Sequence, residues 1–174
     1  AYNLSRLAWA YHTVSLSHPD TPALDVLSEI AGSGQSSLLN QRIKEDLRLV
    51  HSISSASYTP RDPGVFYVEA VFDPPKEAAV VEAIRQEIDS WLTRPFFIEE
   101  VNKARRKLLS SQLSELTTMA GQASSYASGE FYAADPHFNE TYLRLLDNVT
   151  PETVQAVTRK YLRPGNRTLA ILSP

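Results

Sequence analysis

Cysteine is absent from the 174 residues, which excludes disulfides and thiolate metal sites and leaves the redox compartment without a marker. Long apolar runs are missing as well. No stretch approaches the roughly 18 residues needed to cross a bilayer, so no membrane span is expected. Neither sign of charge dominates: 17 basic against 20 acidic residues give a net charge of −3, and nucleic acid or an anionic membrane is not expected as the main partner. Methionine occurs once, at Met119, and the chain opens AYNL, as expected of a processed product or a piece excised from a longer protein.

Catalytic motifs are scarce too. The four histidines are His12, His18, His51 and His137, and no two lie four residues apart on a helix with a glutamate between them. A zincin site needs two imidazoles on one helical face, a third ligand and an open position for water, so no metal site is expected here. No GxSxG elbow marks a hydrolase nucleophile. The loop GSGQSS at 32–37 is rich in glycine and serine. It lacks the third glycine and the preceding strand of a dinucleotide fingerprint, and the Gly-Lys-Ser/Thr ending of a P-loop. It reads as a connection between helices.

What is present is a globular composition, 43% hydrophobic and 21% charged, long enough for one domain with its own core. The stretch RLAWAYHTVSL at 6–16 alternates as a strand, with Leu7, Trp9 and Tyr11 on one side. HPDTPALDVLSEIAGSG then predicts a helix capped by Thr21, with Pro22 at its first position and Gly32 or Gly34 at its end. Ser36 or Ser37 is positioned to cap a second helix with a stripe of Leu38, Leu39, Ile43 and Leu47. Strands follow at about 51–58 and 65–72, joined by the turn TPRDPG. The second is apolar on both faces, with Phe66, Val68, Ala70 and Phe72 on one side, which marks a central strand.

Later segments are helical. Val80, Ile84, Ile88 and Trp91 fall in register, one long helix is expected over about 98–131, and Asp135-Pro136 and Thr150-Pro151 open two short ones. TLAILSP closes the chain as a strand. This order predicts an α+β two-layer sandwich, a mainly antiparallel sheet with helices on one face. The cluster Lys103, Arg105, Arg106 and Lys107 reads as a solvated helix face paired with Glu99, Glu100 and Glu115. In GQASSYASGEFYAA at 121–134, Tyr126, Phe131 and Tyr132 read as close helix packing, with a wall that contacts peptide as the alternative.

The phrases HPDTPALDVLSEIAGSGQSSLLNQRIKEDLRLVHSIS, DPGVFYVEAVFDPP, EEVNKARRKLLSSQL and VTPETVQAVTRKYLRPGNRTLAILSP, in that order, resemble the pitrilysin/insulinase (M16) zinc metallopeptidase family. The resemblance implies one unit of a clamshell built from repeated α+β domains of the LuxS/MPP-like metallohydrolase fold, enclosing a chamber. It also implies that zinc sits in a partner domain, on the same polypeptide or another subunit, and that this domain lacks the His-x-x-Glu-His motif. In such enzymes an arginine, followed seven residues later by a tyrosine, contacts substrate and helps polarise the scissile carbonyl. Lys44 and His51 occupy the matching positions here, as substrate-binding candidates or as ordinary exposed residues. Lysine keeps the charge without the planar fork of arginine, and neutral histidine can still donate a hydrogen bond. Arg48 replaces the family's glycine, so a changed turn is expected there.

The implied role is a non-catalytic structural or substrate-chamber domain of a zinc metalloendopeptidase, inactive alone, that helps enclose unfolded peptide. Alternatives are a domain of a catalytically dead scaffold subunit, or a stand-alone peptide-binding module that homodimerises in isolation.

Overall fold

A computed structural model of the chain describes residues 3–174. Four strands, β1 (Ser5–His12), β2 (Ser52–Tyr58), β3 (Val65–Phe72) and β4 (Arg167–Leu172), form one antiparallel sheet in the order β2-β3-β1-β4. Leu7, Trp9 and Tyr11 of β1 stand opposite Ala70, Val68 and Phe66 of β3, and all six are buried on the same face. Trp9 Nε1 donates to Tyr11 Oη at 2.8 Å, so the two large side chains satisfy each other's polar ends inside the core. The opposite face of the sheet, with Arg6, Glu69 and Ser54, is open to solvent.

Helix α1 (Thr21–Gly32) is the centre of the second layer. It touches β2, α3 (Ile98–Glu115), α5 (Phe138–Asp147) and α6 (Pro151–Tyr161). Apolar residues at eight of its twelve positions, spread over several sides, explain this, because a helix that is apolar on several sides must be covered on them. Helix α2 (Glu77–Trp91) buries Val80, Ile84, Ile88 and Trp91, the stripe expected from its spacing. Helix α6 is opened by Thr150, whose hydroxyl accepts from Thr153 N while Thr150 N donates to Thr153 Oγ1. The α+β sandwich is as expected from the order of segments. No helix of the described residues is long and apolar enough to cross a membrane.

Three local expectations are corrected. Thr21 does not cap α1: its hydroxyl donates to Ser15 O at 3.0 Å, and Asp20 takes the capping position without a side-chain bond. The segment 98–131 is not one helix. It breaks after Glu115, where Thr118 accepts from Gly121 N and starts α4 (Met119–Ser128), followed by a π-helical turn at Gly129–Ala133. The segment after the serine loop is π-helical over Asn40–Asp46, so Leu47 N reaches Arg42 O, five residues back. That wider turn keeps Leu39 and Ile43 in the core and swings Leu47 out to 40% exposure.

Candidate functional site

The serine loop, the π-helical turn and β2 follow one another along the chain, and both candidate residues lie between the loop and the strand. Its shape begins with Gly32. A Cβ there would lie 2.1 Å from Ser55 N, so only glycine lets the end of α1 rest against β2. Gly34 then adopts φ +83°, which turns the loop. Ser37 Oγ closes it by donating to Gly34 O at 2.7 Å. Asn40 Nδ2, nearly buried, donates both to Ser37 Oγ (2.9 Å) and to Ile53 O (3.2 Å), which ties the loop to the sheet. Two loop hydroxyls are also engaged from outside: Lys103 Nζ donates to Ser36 Oγ at 2.6 Å, and Lys107 Nζ donates to Ser33 Oγ. The loop is thus a structural joint, held by its own hydrogen bonds and by α3.

These contacts correct the reading of the basic cluster. Lys107 pairs with Glu29 of α1 at 2.7 Å, Arg105 with Asp147 of α5, and Glu100 with Arg94 at 2.5 Å. The charges on α3 staple neighbouring elements rather than one another.

Lys44 sits on the π-helical turn, half-buried, and its ammonium has no hydrogen-bond or ion-pair partner among the described residues. The ammonium is therefore not engaged by another side chain and is open to whatever approaches it. His51 lies seven residues on, immediately before β2, with its backbone N–H on Val71 O (2.8 Å) and Nε2 2.9 Å from Asp73 Oδ1. The other oxygen of Asp73 receives Lys76 Nζ at 3.1 Å. The His51 hydrogen bond, and then Lys76, hold the Asp73 carboxyl below its ordinary value. Lys44 and His51 share no hydrogen bond with each other; they flank the same turn.

Arg48 is at the bend of that turn with φ +51°. The expectation of a changed turn is therefore corrected, because the arginine adopts the left-handed conformation itself. Lys76 Nζ donates to the Arg48 carbonyl at 3.4 Å, which helps hold the bend. Asp73 and Lys76, which orient His51 and support the turn, escaped the sequence reading. Their signal was the acid placed at the end of a strand before Pro-Pro-Lys.

Histidines do not converge. His18 Nδ1 accepts from Asp20 N at 3.0 Å, His137 Nδ1 lies 3.4 Å from Glu140, and His51 is held by Asp73. Among the described residues no three His, Asp or Glu side chains group as metal ligands.

Residues 121–134 depart from the packing reading. No residue of α4 is buried, and Tyr126 and Phe131 are 50% and 65% exposed.

Comparison with known proteins agrees with this picture. The chain is 28% identical over 153 residues to the uncharacterised zinc protease SCO5738 of Streptomyces coelicolor, covering 87% of this chain and 33% of that one. It spans about a third of that relative's length. The fold is shared with an inactive peptidase domain from Bordetella parapertussis, with a TM-score of 0.90, 20% identity, and coverage of 100% of this chain and 92% of that one. A protease from Helicobacter pylori is similar at a TM-score of 0.87 and 22% identity, over 99% of this chain and 42% of that chain. Residues 2–108, more than half of the sequence, match the family described as the peptidase M16 inactive domain, and the chain belongs to that family.

Proposed function

We propose that this chain is a non-catalytic domain of a zinc metalloendopeptidase, a wall of the chamber in which peptides are degraded or processed, with all 174 residues forming that one domain. The observation that carries the reading is the match of residues 2–108 to the inactive-domain family, alongside a relative named a zinc protease. Zinc and the glutamate that serves as general base would come from a partner domain, on the same polypeptide or another subunit. Zinc there would activate water for attack on the peptide carbonyl.

In this reading Lys44 and His51 are substrate contacts. The unpaired Lys44 ammonium would attract a peptide carbonyl or carboxylate as a point charge, and His51, oriented by Asp73, would offer a hydrogen bond from the same rim. The peptide itself would run extended along a free sheet edge, pairing through its backbone.

The test is reconstitution with the zinc-binding partner domain and steady-state kinetics on an unfolded peptide. The chain alone should cleave nothing. In the assembled enzyme, Lys44→Ala and His51→Ala should each raise KM about tenfold, as removal of a hydrogen bond to a charged group worth about 1.5 kcal/mol would do, with little change in kcat. Unchanged KM in both variants would remove the two residues from the substrate path. Cleavage by the isolated chain would overturn the reading itself.

A further inference from the structure

A cleft of about 270 Å³ opens among α1, α3, α4 and α5, on a different side of α1 from the serine loop's contacts with β2. Its charge is one-sided. The acids Asp25 and Glu115 line it together with Gln112 and Asn139, and no lysine, arginine or histidine does. Three other acids on these elements are neutralised in place: Glu29 by Lys107, Glu100 by Arg94, Asp147 by Arg105. Asp25 and Glu115 have no ion-pair partner among the described residues.

Asp25 is the deeper of the two. Its Oδ2 accepts from Tyr142 Oη at 2.8 Å, and the buried Ser57 hydroxyl lies beside it without a well-formed hydrogen bond. Burial pushes the Asp25 carboxyl up to about 6, against the opposing pull of Tyr142 and Ser57, and Glu29 adds to the rise. A carboxylate largely withdrawn from water that receives one hydroxyl and no cation is an incomplete charge pair.

We propose that this cleft is a binding site for a primary ammonium group on a short aliphatic or peptide stem. Asp25 is its inner counter-ion and Glu115 its outer one. An ammonium carries three donors and no acceptor, which suits a lining of acidic, amide and serine residues with no basic one. The volume is just under the roughly 300 Å³ at which ordinary ligand pockets begin, so it takes a side chain or a chain end rather than a large molecule. Leu16 and Phe138 give the methylenes of a stem an apolar wall. An anion would meet two carboxylates there, and two carboxylates without a third ligand do not make a cation cage. This inference rests on the cleft alone and stands or falls apart from the peptidase reading.

The ammonium of a lysine side chain and that of a peptide N-terminus have the same chemistry, so the experiment has an arm for each. The purified chain is titrated with Nα-acetyl-lysine amide, with alanyl-leucine amide, and with uncharged Nα-acetyl-norleucine amide, while the Asp25 carboxyl carbon is followed by NMR across pH. Binding of one charged probe with a Kd below about 5 mM, at least about tenfold tighter than the neutral one, is expected. So is a fall of about one pH unit or more in the Asp25 midpoint when that probe is bound. The arm that binds identifies the source, and binding of both marks a general ammonium site. Asp25→Asn, which keeps an acceptor for Tyr142, should weaken binding about tenfold, and Glu115→Gln about two- to fivefold. Failure of both charged probes at about 20 mM, equal binding of the neutral probe, or an Asp25 midpoint that ignores the probe would overturn the proposal.

Discussion

Helices α1 and α4 are both built largely from small and aliphatic residues, yet nine of the twelve residues of α1 are buried and none of the ten of α4. The difference lies in what each can bury. In α1, Leu24, Val26, Leu27 and Ile30 project to several sides, so the helix is enclosed by the sheet and by three other helices. In α4, serines, glutamine and glycine leave no apolar stripe, and the helix lies over the protein with Met119 and Tyr126 facing water. Helical propensity is thus a weak guide to a segment's role, and what decides it is the area the segment can remove from water.

Substitution should make the contrast measurable, and the largest effect belongs to the core. Leu24→Ala, at a fully buried site, should cost about 2–5 kcal/mol in urea unfolding, whereas Tyr126→Ala in α4 should cost less than about 0.5. Comparable losses at the two sites would mean that α4 shares the core's stability.

A second test uses the one carboxyl of α1 that faces inward. Asp25 ionises near 4 in the unfolded chain and at about 6 in the fold, so between those values the folded state keeps a proton that the unfolded state has lost. The group's contribution to stability therefore falls as pH rises from about 4 to 6 and stays low above that. Glu29 on the same helix, Tyr142 from α5, Ser57 from β2 and Glu115 across the cleft are the groups that surround it. Asp25→Asn should match the wild type at pH 4 and be more stable by about 1–3 kcal/mol at pH 7, the size of a two-unit shift after solvent screening. A variant less stable at pH 7 would reverse the sign.

The smallest effect is expected at the turn. Arg48→Gly should relieve the left-handed strain of about 1–2 kcal/mol and lose roughly half of that to the freedom of the unfolded chain, a net gain of about 0.5 kcal/mol. A net loss would show that the arginine side chain supports the bend.

The same contrast explains what the sequence could reveal. Strand β3 was legible to the residue, because alternating Phe66, Val68, Ala70 and Phe72 admit one pattern, and apolar residues on its other face mark its place between two neighbours. The faces of β1 and α2 were legible for the same reason. The break at 116–118 was not, since neither glycine nor proline announces it and Thr118 is an ordinary cap. The π-helical turn was hidden because Leu39 and Ile43 satisfy either helical period, and only the exposure of Leu47 separates them. At the candidate site, Lys44 and His51 were nameable through family resemblance alone, and the partners of His51 required the fold. Asp25 was not singled out from the sequence. Its flanks, Leu24, Val26 and Leu27, were the available clue, because a helix apolar on several sides must turn its carboxylate toward protein.

Metal content measures the central claim most directly. The purified chain, dialysed against zinc-free buffer and analysed by mass spectrometry, is expected to carry far less than one zinc per chain and to gain no tight equivalent when zinc is added back. One zinc per chain that survives dialysis would contradict a domain that leaves its metal chemistry to a neighbour.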